Sequence, residues 1–396
     1  MNAFARYAAK ILRLRKVFPQ YLLSSRTMLN RLLRAAKKRG LVIASMVLAG
    51  LLLVAGIYYI VFKLVEKTAV VYPDVQNGEL LIVTSTEDDG EGTLRRALLE
   101  AKPGDIITFD PRHFPPDNPA TIYLNRELPS IEVGNLTIDA SDAGVILDGS
   151  SIPSSEHSWI SGINITSNDN VVQGLQIVNF SYACGIFVGG NARNNLIGGD
   201  RNIGSGPVGQ GNLIGNVNTG IALQGAGNSS NTVMGNILGI DPTGANAWTV
   251  VGVHILERAR YNIVGPNNII INSDNCGIQV WGSSTYGNTF TQNIIYNNGW
   301  MGIELWEGGN REVIPPTITA YDLHDGIVEG KAKPGSIVEV FSDRGNQGEF
   351  FEGATEADEN GNFKFYAEKP LKGPYITVTA TDFEGNTSEF SEPAGR

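Results

Sequence analysis

Cys184-Gly-Ile-Phe-Val188, Thr219-Gly-Ile-Ala-Leu223, Val251-Gly-Val-His-Ile255, Cys276-Gly-Ile-Gln-Val280 and Met301-Gly-Ile-Glu-Leu305 are one pattern written five times, with starts 35, 32, 25 and 25 residues apart. Between them a second pattern recurs, as Asn231-Thr-Val-Met-Gly-Asn236-Ile237 and Asn288-Thr-Phe-Thr-Gln-Asn293-Ile294, and Asn268 and Asn272 return as Asn293 and Asn297. Short apolar strands spaced by Gly and Asn at such a period mark a solenoid. In Gly-Ile-x-Val the two apolar residues share a face, and so short a strand buries that face only by stacking on its equivalent in the next coil. The expected fold is a parallel β-helix. Gly before each strand is expected to allow a sharp corner, and equivalent Asn side chains to stack as amide ladders.

The same alternation turns Phe187, Ala222, His254, Gln279 and Glu304 outward, followed by Gly189, Gln224, Leu256, Trp281 and Trp306. The C-terminal coils thus carry a column of His254, Gln279 and Glu304 beside Trp281 stacked over Trp306, with Glu257 and Glu307 along the edge. Indole faces stack on sugar C–H groups and carboxylates accept from hydroxyls. Trp281, Trp306, Gln279 and Glu304 are therefore the candidate ligand-binding residues. Packing against a loop, another module or another subunit explains the same column. Weak catalytic candidates are Glu304, Glu307, His254 and Glu257. Glu257 and Glu307 stand two coils, about 9–10 Å, apart, at the edge of the range for inverting glycosidases, and Glu304 with His254 forms a second acid/base pairing.

Composition sets the frame. The chain has 396 residues, 47 Gly and only 18 % charged residues, which favours a turn-rich β protein over a helical one. The net charge of −10 is split: residues 1–67 carry thirteen Lys/Arg and one acid, the remainder seventeen and thirty-nine. An exported part this acidic argues against nucleic-acid binding. Cys184 and Cys276 hold the same repeat position three intervals apart, roughly 14 Å and beyond disulfide reach; both read as small buried core residues. No metal or cofactor motif is present, and Asp139, Asp142 and Asp148 read as turn residues.

Residues 1–40 hold eleven Lys/Arg and no acid in two amphipathic stretches broken at Pro19. Such segments contact anionic membranes, recruit partner proteins, or serve only as a positive flank that sets topology. Leu41–Phe62 is uncharged and, as a helix, spans about 33 Å, enough for a bilayer core. The expectation is a single-pass plasma-membrane protein with a cytoplasmic N-terminus and its other domains outside; a cleaved signal peptide is the competing reading. Residues 63–78 read as a linker. An open β-helix end needs a cap, and Thr93 followed by Leu94-Arg-Arg-Ala-Leu-Leu-Glu-Ala101, stopped by Lys102-Pro-Gly104, is the candidate helix for it.

The order Thr-Leu-Arg-Arg-Ala-Leu, Asp105-Ile-Ile-Thr-Phe109, Thr121-Ile-Tyr-Leu124, Leu128-Pro129, Leu136-Thr-Ile138 and Val145-Ile-Leu-Asp148 resembles the N-terminal region of bacterial surface β-helix proteins. Their Cys-Ser-Leu-Arg-Glu-Ala-Ile motif is matched only in part, since this chain lacks the Cys and has Arg96 in place of Glu. Residues 160–310 resemble the right-handed parallel β-helix repeats of the pectin-lyase-like superfamily. That resemblance implies a fold and leaves activity open, because the superfamily contains lyases, hydrolases, adhesins and inert scaffolds. The Gly-His-Gly and Asn-Thr-Asp signatures of its polygalacturonase-like members are absent, and no Lys occurs between Lys102 and Lys331.

After Pro315-Pro316, short strands alternate with turns such as Lys333-Pro-Gly335, Glu359-Asn-Gly-Asn362 and Glu384-Gly-Asn386. That is the pattern of a small β-sandwich, similar to bacterial immunoglobulin-like modules; Asp358, Asn360 and Asn362 read as a hairpin turn. The expected chain is mainly β, with a basic segment 1–40, a transmembrane helix 41–62, a linker 63–78, a capped β-helix 79–312 and an immunoglobulin-like sandwich 313–396. The expected function is a non-enzymatic surface scaffold binding glycan or a protein partner. A polysaccharide hydrolase or lyase on the same face, and an accessory subunit recruited through residues 1–62, are the alternatives.

Overall fold

The computed structural model describes residues 78–153 and 159–395. The basic segment, the expected membrane span and all of the linker but Gly78 lie outside the described residues. Among the described residues no helix is long and apolar enough to cross a membrane.

The coils form three faces. The first is an eight-stranded parallel sheet, from Leu80–Val83 through Ile106–Phe109, Thr137–Asp139, Val171–Gln173, Leu196–Gly198, Thr232–Met234 and Ile263–Val264 to Thr289–Phe290. The second begins with Ala120–Tyr123 and Val145–Asp148 and ends with Ile269–Ile271 and Ile294–Tyr296. The third holds the five repeats. Leu175–Val188 and Leu213–Gln224 run unbroken around the corner between the second and third faces, which joins the two into one sheet.

The expected register holds throughout: Cys184 pairs with Thr219 and Thr219 with Val251, and Ile278 pairs with Val253 and Ile303. Inside the third face a single column runs Ile131, Ile165, Val188, Leu223, Ile255, Val280, Leu305. All seven are buried, each contributing about 1.5–3 kcal/mol of hydrophobic stabilisation. The glycine of the repeat has a different role from the one expected. None of Gly185, Gly220, Gly252, Gly277 and Gly302 has a positive φ. A Cβ on Gly252 would instead lie 2.4 Å from Ile270, and on Gly277 2.7 Å from Ile295. The corner needs glycine for space, because an inward Ile crosses beneath it.

The amide ladders form and reach further than the repeats suggest. One joins Asn170, Asn195, Asn231, Asn262, Asn288 and Asn310, and a second joins Asn212, Asn236, Asn268 and Asn293. At most rungs the backbone N–H and the side-chain Nδ2 both donate to the Oδ1 of the next Asn; Asn231 does so at 3.0 and 2.9 Å. The ladder Asn are buried, so each amide satisfies a corner N–H that no strand pairs.

Both ends are closed. At the N-terminal end the helix Leu94–Glu100 buries Leu94, Ala97 and Leu98, and Thr93 caps it by accepting from Arg96 N–H at 3.2 Å. Arg95 is buried too. It pairs with Asp88 and donates to the carbonyls of Asp88 and Arg126, each at 3.0 Å, which ties the acidic turn to the next loop.

At the C-terminal end the sandwich itself is the lid. Its outer sheet is Thr317–Asp322, Ile327–Lys331 and Asn362–Tyr366; its inner sheet is Phe350–Glu356, Ile337–Asp343, Tyr375–Thr381 and Ala394–Gly395. Val338, Val340, Ile376 and Val378 fill the core between them. The opposite side of the inner sheet lies on the last coil, with Glu339, Phe341, Thr379 and Phe390 against Phe290, Ile295 and Ile303. Six last-coil N–H groups donate to this module: Gly287 to Asn386, Phe290 to Thr387, Gln292 to Glu339, Ile295 to Gly348, Asn298 to Gln347 and Leu305 to Glu389, at 2.6–3.2 Å. Gln347 Oε1 accepts from both N–H and Nδ2 of Asn298, the bonds that another Asn rung would make. The described residues accordingly form one compact unit.

Two predictions follow from this packing. Asn231→Ala leaves several buried groups unpaired and should cost about 2–4 kcal/mol in denaturant unfolding, against less than about 1 kcal/mol for Asn246→Ala, an exposed amide that accepts from Asn272 Nδ2; equal costs would contradict the ladder's role. Burial pushes the Glu339 carboxyl up to about 7, against hydrogen bonds from Thr291 and Gln292 that pull it down. The folded chain therefore holds this proton more tightly than the unfolded one. Its contribution is full below the ordinary glutamate range and is lost as pH rises through about 7, a change on the order of 2–4 kcal/mol. Glu339→Gln should remove that component from the pH dependence of the melting temperature between pH 5 and 8, and an unaltered profile would refute the assignment.

Candidate functional site

The last three coils of the third face bring the sequence-predicted residues together. His254, Gln279 and Glu304 are consecutive register partners, and Trp281 pairs with Trp306. Trp281 is 45 % and Trp306 49 % exposed. Their surroundings differ from expectation in three ways.

Trp281 has His254, not Trp306, as its flat neighbour: the ring centroids are 6.3 Å apart and the planes 6° from parallel. The indole is also held at its edge, where Nε1 donates to Glu307 Oε2 at 2.8 Å. Glu307 and Glu257 both occupy left-handed turns, φ 50° and 52°, just past their strands. Their carboxylates stay exposed at the rim, and Glu307 serves to orient the indole.

Glu304 is not solvent-facing. It is 7 % exposed, and its Oε2 accepts from Gln279 Nε2 and from Cys276 Sγ, the latter at 3.2 Å. The reason is the lid: Glu389 arrives with the sandwich and takes the N–H of Leu305. Burial raises the Glu389 carboxyl, helped by the nearby negative charge of Glu304 and Glu312. His254 does not complete an acid/base pair with Glu304. Burial pushes its imidazole down to about 4, and its Nε2 is buried without a partner.

Cys276 is fully buried, as the core reading expects, with its Sγ donating to Glu304 at 3.2 Å, whereas Cys184 is only partly buried, its N–H bonded to Ser161 at 3.3 Å. Burial raises both thiols to about 12, so neither is a nucleophile at neutral pH.

The corner between the third and first faces adds residues that strand alternation did not reveal. Leu256, Glu257 and Arg258 face Trp281, Gly282, Ser283, Ser284 and Thr285 across a groove of about 380 Å³. Beside it Tyr286 is sandwiched between Arg260 and Arg311, 4.3 and 4.5 Å from its ring centre. Arg258, Arg260, Tyr286 and Arg311 lie past the ends of their strands, where alternation assigns no direction. Asp139 and Asp148 accept from the N–H groups of Ser141 and Ser150, as turn residues do, whereas Asp142 accepts from the N–H of Ser205 and ties its turn to a distant loop. Asp358 accepts from Asn360 and Asn362 within its hairpin. Among the described residues no three His, Cys, Asp or Glu side chains converge as a metal-binding group.

With this geometry in place, the C-terminal module is recognised by a family model. Residues 315–392 match the bacterial Ig domain family. A crystal structure of pectate lyase Pel9A is similar over 60 % of this chain and 67 % of its own, at 13 % identity and a TM-score of 0.37. Curated proteins provide no match. The chain is a parallel β-helix closed by a C-terminal bacterial Ig-like module.

The imidazole of His254 should stay neutral from pH 8 to 5 and titrate near 4 by NMR, while exposed His324, raised by Asp325, titrates above the ordinary histidine value. Titration of His254 near 6.5 would contradict its burial against Trp281.

Proposed function

We propose that this protein is a non-enzymatic scaffold that binds carbohydrate along the Trp281/Trp306 edge of its β-helix. Residues 41–62 anchor it in the membrane and hold the folded part outside the cell. The observation that carries the reading is the pair of half-exposed indoles one coil apart, with Trp281 fixed at its edge by Glu307 and on one side by His254. A pre-oriented indole loses little entropy on binding, and its face suits the C–H side of a sugar ring. The adjoining groove supplies hydroxyls from Ser283, Ser284 and Thr285 and charges from Glu257 and Arg258.

Hydrolysis on this face has less support. Catalysis needs a carboxyl pair open to substrate, whereas Glu304 is buried and Glu307 orients an indole. The N-terminal segment is the natural place for protein partners, given its eleven basic residues in residues 1–40.

The test is binding and product analysis on a polysaccharide panel. Trp281→Ala with Trp306→Ala should weaken binding at least tenfold, no new chain ends should form, and Glu304→Gln should bind like the parent. Product formation that disappears in Glu304→Gln would overturn the proposal in favour of an enzyme.

A further inference from the structure

Cations are scarce in the acidic β-helix, and most of them meet in one place. Between Arg126 and Lys331 the only basic residues are Arg193, Arg201, Arg258, Arg260 and Arg311, and the last three share the corner that follows the third face. Arg260 and Arg311 flank Tyr286 from the coils on either side of it, so the row they make spans two coils, about 9–10 Å. Each is tied through Nε: Arg260 donates to the Ser284 carbonyl at 2.8 Å, and Arg311 stands 3.2 Å from Glu384 Oε2. Nearer the third face run Glu257 and Glu307. Ile255 pairs with Val280 and Val280 with Leu305, so these two glutamates, each two residues further on, are also two coils apart. Both are exposed, and Glu307 holds Trp281 with one oxygen. Glu312, beside Arg311, turns back to the N–H of Gly308. The corner thus carries an acidic row and a basic row, side by side, equal in length and parallel to the coil axis, with Arg258 between them. Half-exposed aromatic rings flank both rows, Trp281 and Trp306 outside the acidic one and Tyr261 outside the basic one.

We infer that this corner is the contact between two copies of the chain, related by a twofold axis parallel to the coils. Such an axis sets the acidic row of each copy against the basic row of the other: Glu257 meets Arg260 of the second copy, and Glu307 meets its Arg311. A twofold axis across the coils would set Glu257 against Glu307 and Arg260 against Arg311, like against like, so charge selects the parallel arrangement. The contact is isologous, and every charge pair in it occurs twice. The flanks match as well, because the indoles of one copy come to lie toward Tyr261 of the other, and aromatic and Arg side chains are the types enriched in protein interfaces. The parallel arrangement leaves both N-terminal ends pointing the same way, as two copies anchored in one membrane require. The inference goes beyond the carbohydrate reading and takes from the proposed function only the anchor at residues 41–62. Exposed ion pairs are individually weak, so the contact is of low affinity in solution, and confinement to a bilayer strengthens it by raising the effective concentration.

The experiment is sedimentation velocity on residues 68–396, which hold the whole unit closed at both ends, over a concentration series up to about 1 mM. It is run at about 20 mM and about 500 mM salt, between which exposed charges pass from weakly to strongly screened. The parent is compared with Arg260→Glu/Arg311→Glu, with Glu257→Arg/Glu307→Arg, and with an equimolar mixture of these two variants, circular dichroism confirming the fold of each. The expected result is a parent dimer at low salt that dissociates at high salt. Each charge-reversed variant alone should dimerise at least about tenfold more weakly, and the mixture should recover a heterodimer at least as tight as the parent dimer. Recovery on mixing separates a lost contact from a lost fold. A parent that stays monomeric over the whole series at low salt overturns the inference, as does a dimer indifferent to both reversals or a mixture that recovers nothing. Sugar binding is read separately on the polysaccharide panel, so failure here leaves the carbohydrate reading standing, and failure there leaves the dimer.

Discussion

A parallel β-helix has no edge along its length and two exposed ends, and the rest of this structure depends on closing them. Each coil is held by its neighbours through strand hydrogen bonds, the inward aliphatic column and the Asn ladders, so the last coil at either end lacks half of its partners. At one end a seven-residue helix and a buried Arg95 supply them. At the other end a whole module does, and it does so by imitation. Gln347 takes the place of the next Asn rung, Thr387 and Glu339 accept N–H groups that a further strand would accept, and Phe390 sits where the next inward residue would sit.

That closure explains the character of the candidate site. The lid brings Glu389 to the last coil and takes Glu304 out of solvent, which removes the most reactive-looking residue of the face from reach. What remains exposed is a pair of indoles, one of them fixed on two sides, and a polar corner that carries the Glu257 and Glu307 carboxylates. The Ig-like module, by the same token, is part of the β-helix's stability, and its outer sheet is the surface it has free.

Much of the fold was legible because a solenoid repeats its physics. Five copies of one pattern set the register of the third face, and the recurrence of Asn231 and Asn236 as Asn288 and Asn293 set two ladders, since the same buried N–H needs the same amide in every coil. Thr93 and the helix after it followed ordinary capping rules. What could not be read are the contacts between segments without periodicity. Nothing local marks Asp88 as the partner of Arg95, Gln347 as a surrogate rung, or Glu389 as the cover of Glu304. The glycine corners were assigned to backbone conformation, whereas the crossing of Ile270 or Ile295 beneath them is a fact of the next coil. At the site, alternation found Trp281, Trp306, His254 and Gln279, but it assumed a bare outer surface and so misjudged Glu304. It also passed over the corner, where period two no longer applies and Arg258 and Ser283 reside.

The central claim is that the module is a structural lid and not an appended domain, and native-state hydrogen exchange of residues 68–396 tests it most directly. The amides of Phe290, Gln292, Asn298 and Leu305 should exchange as slowly as those of Val338 and Val378 in the module core, through one shared opening. Fast, independent exchange at the four last-coil amides, with the module core still protected, would show that the sandwich leaves the end of the β-helix open.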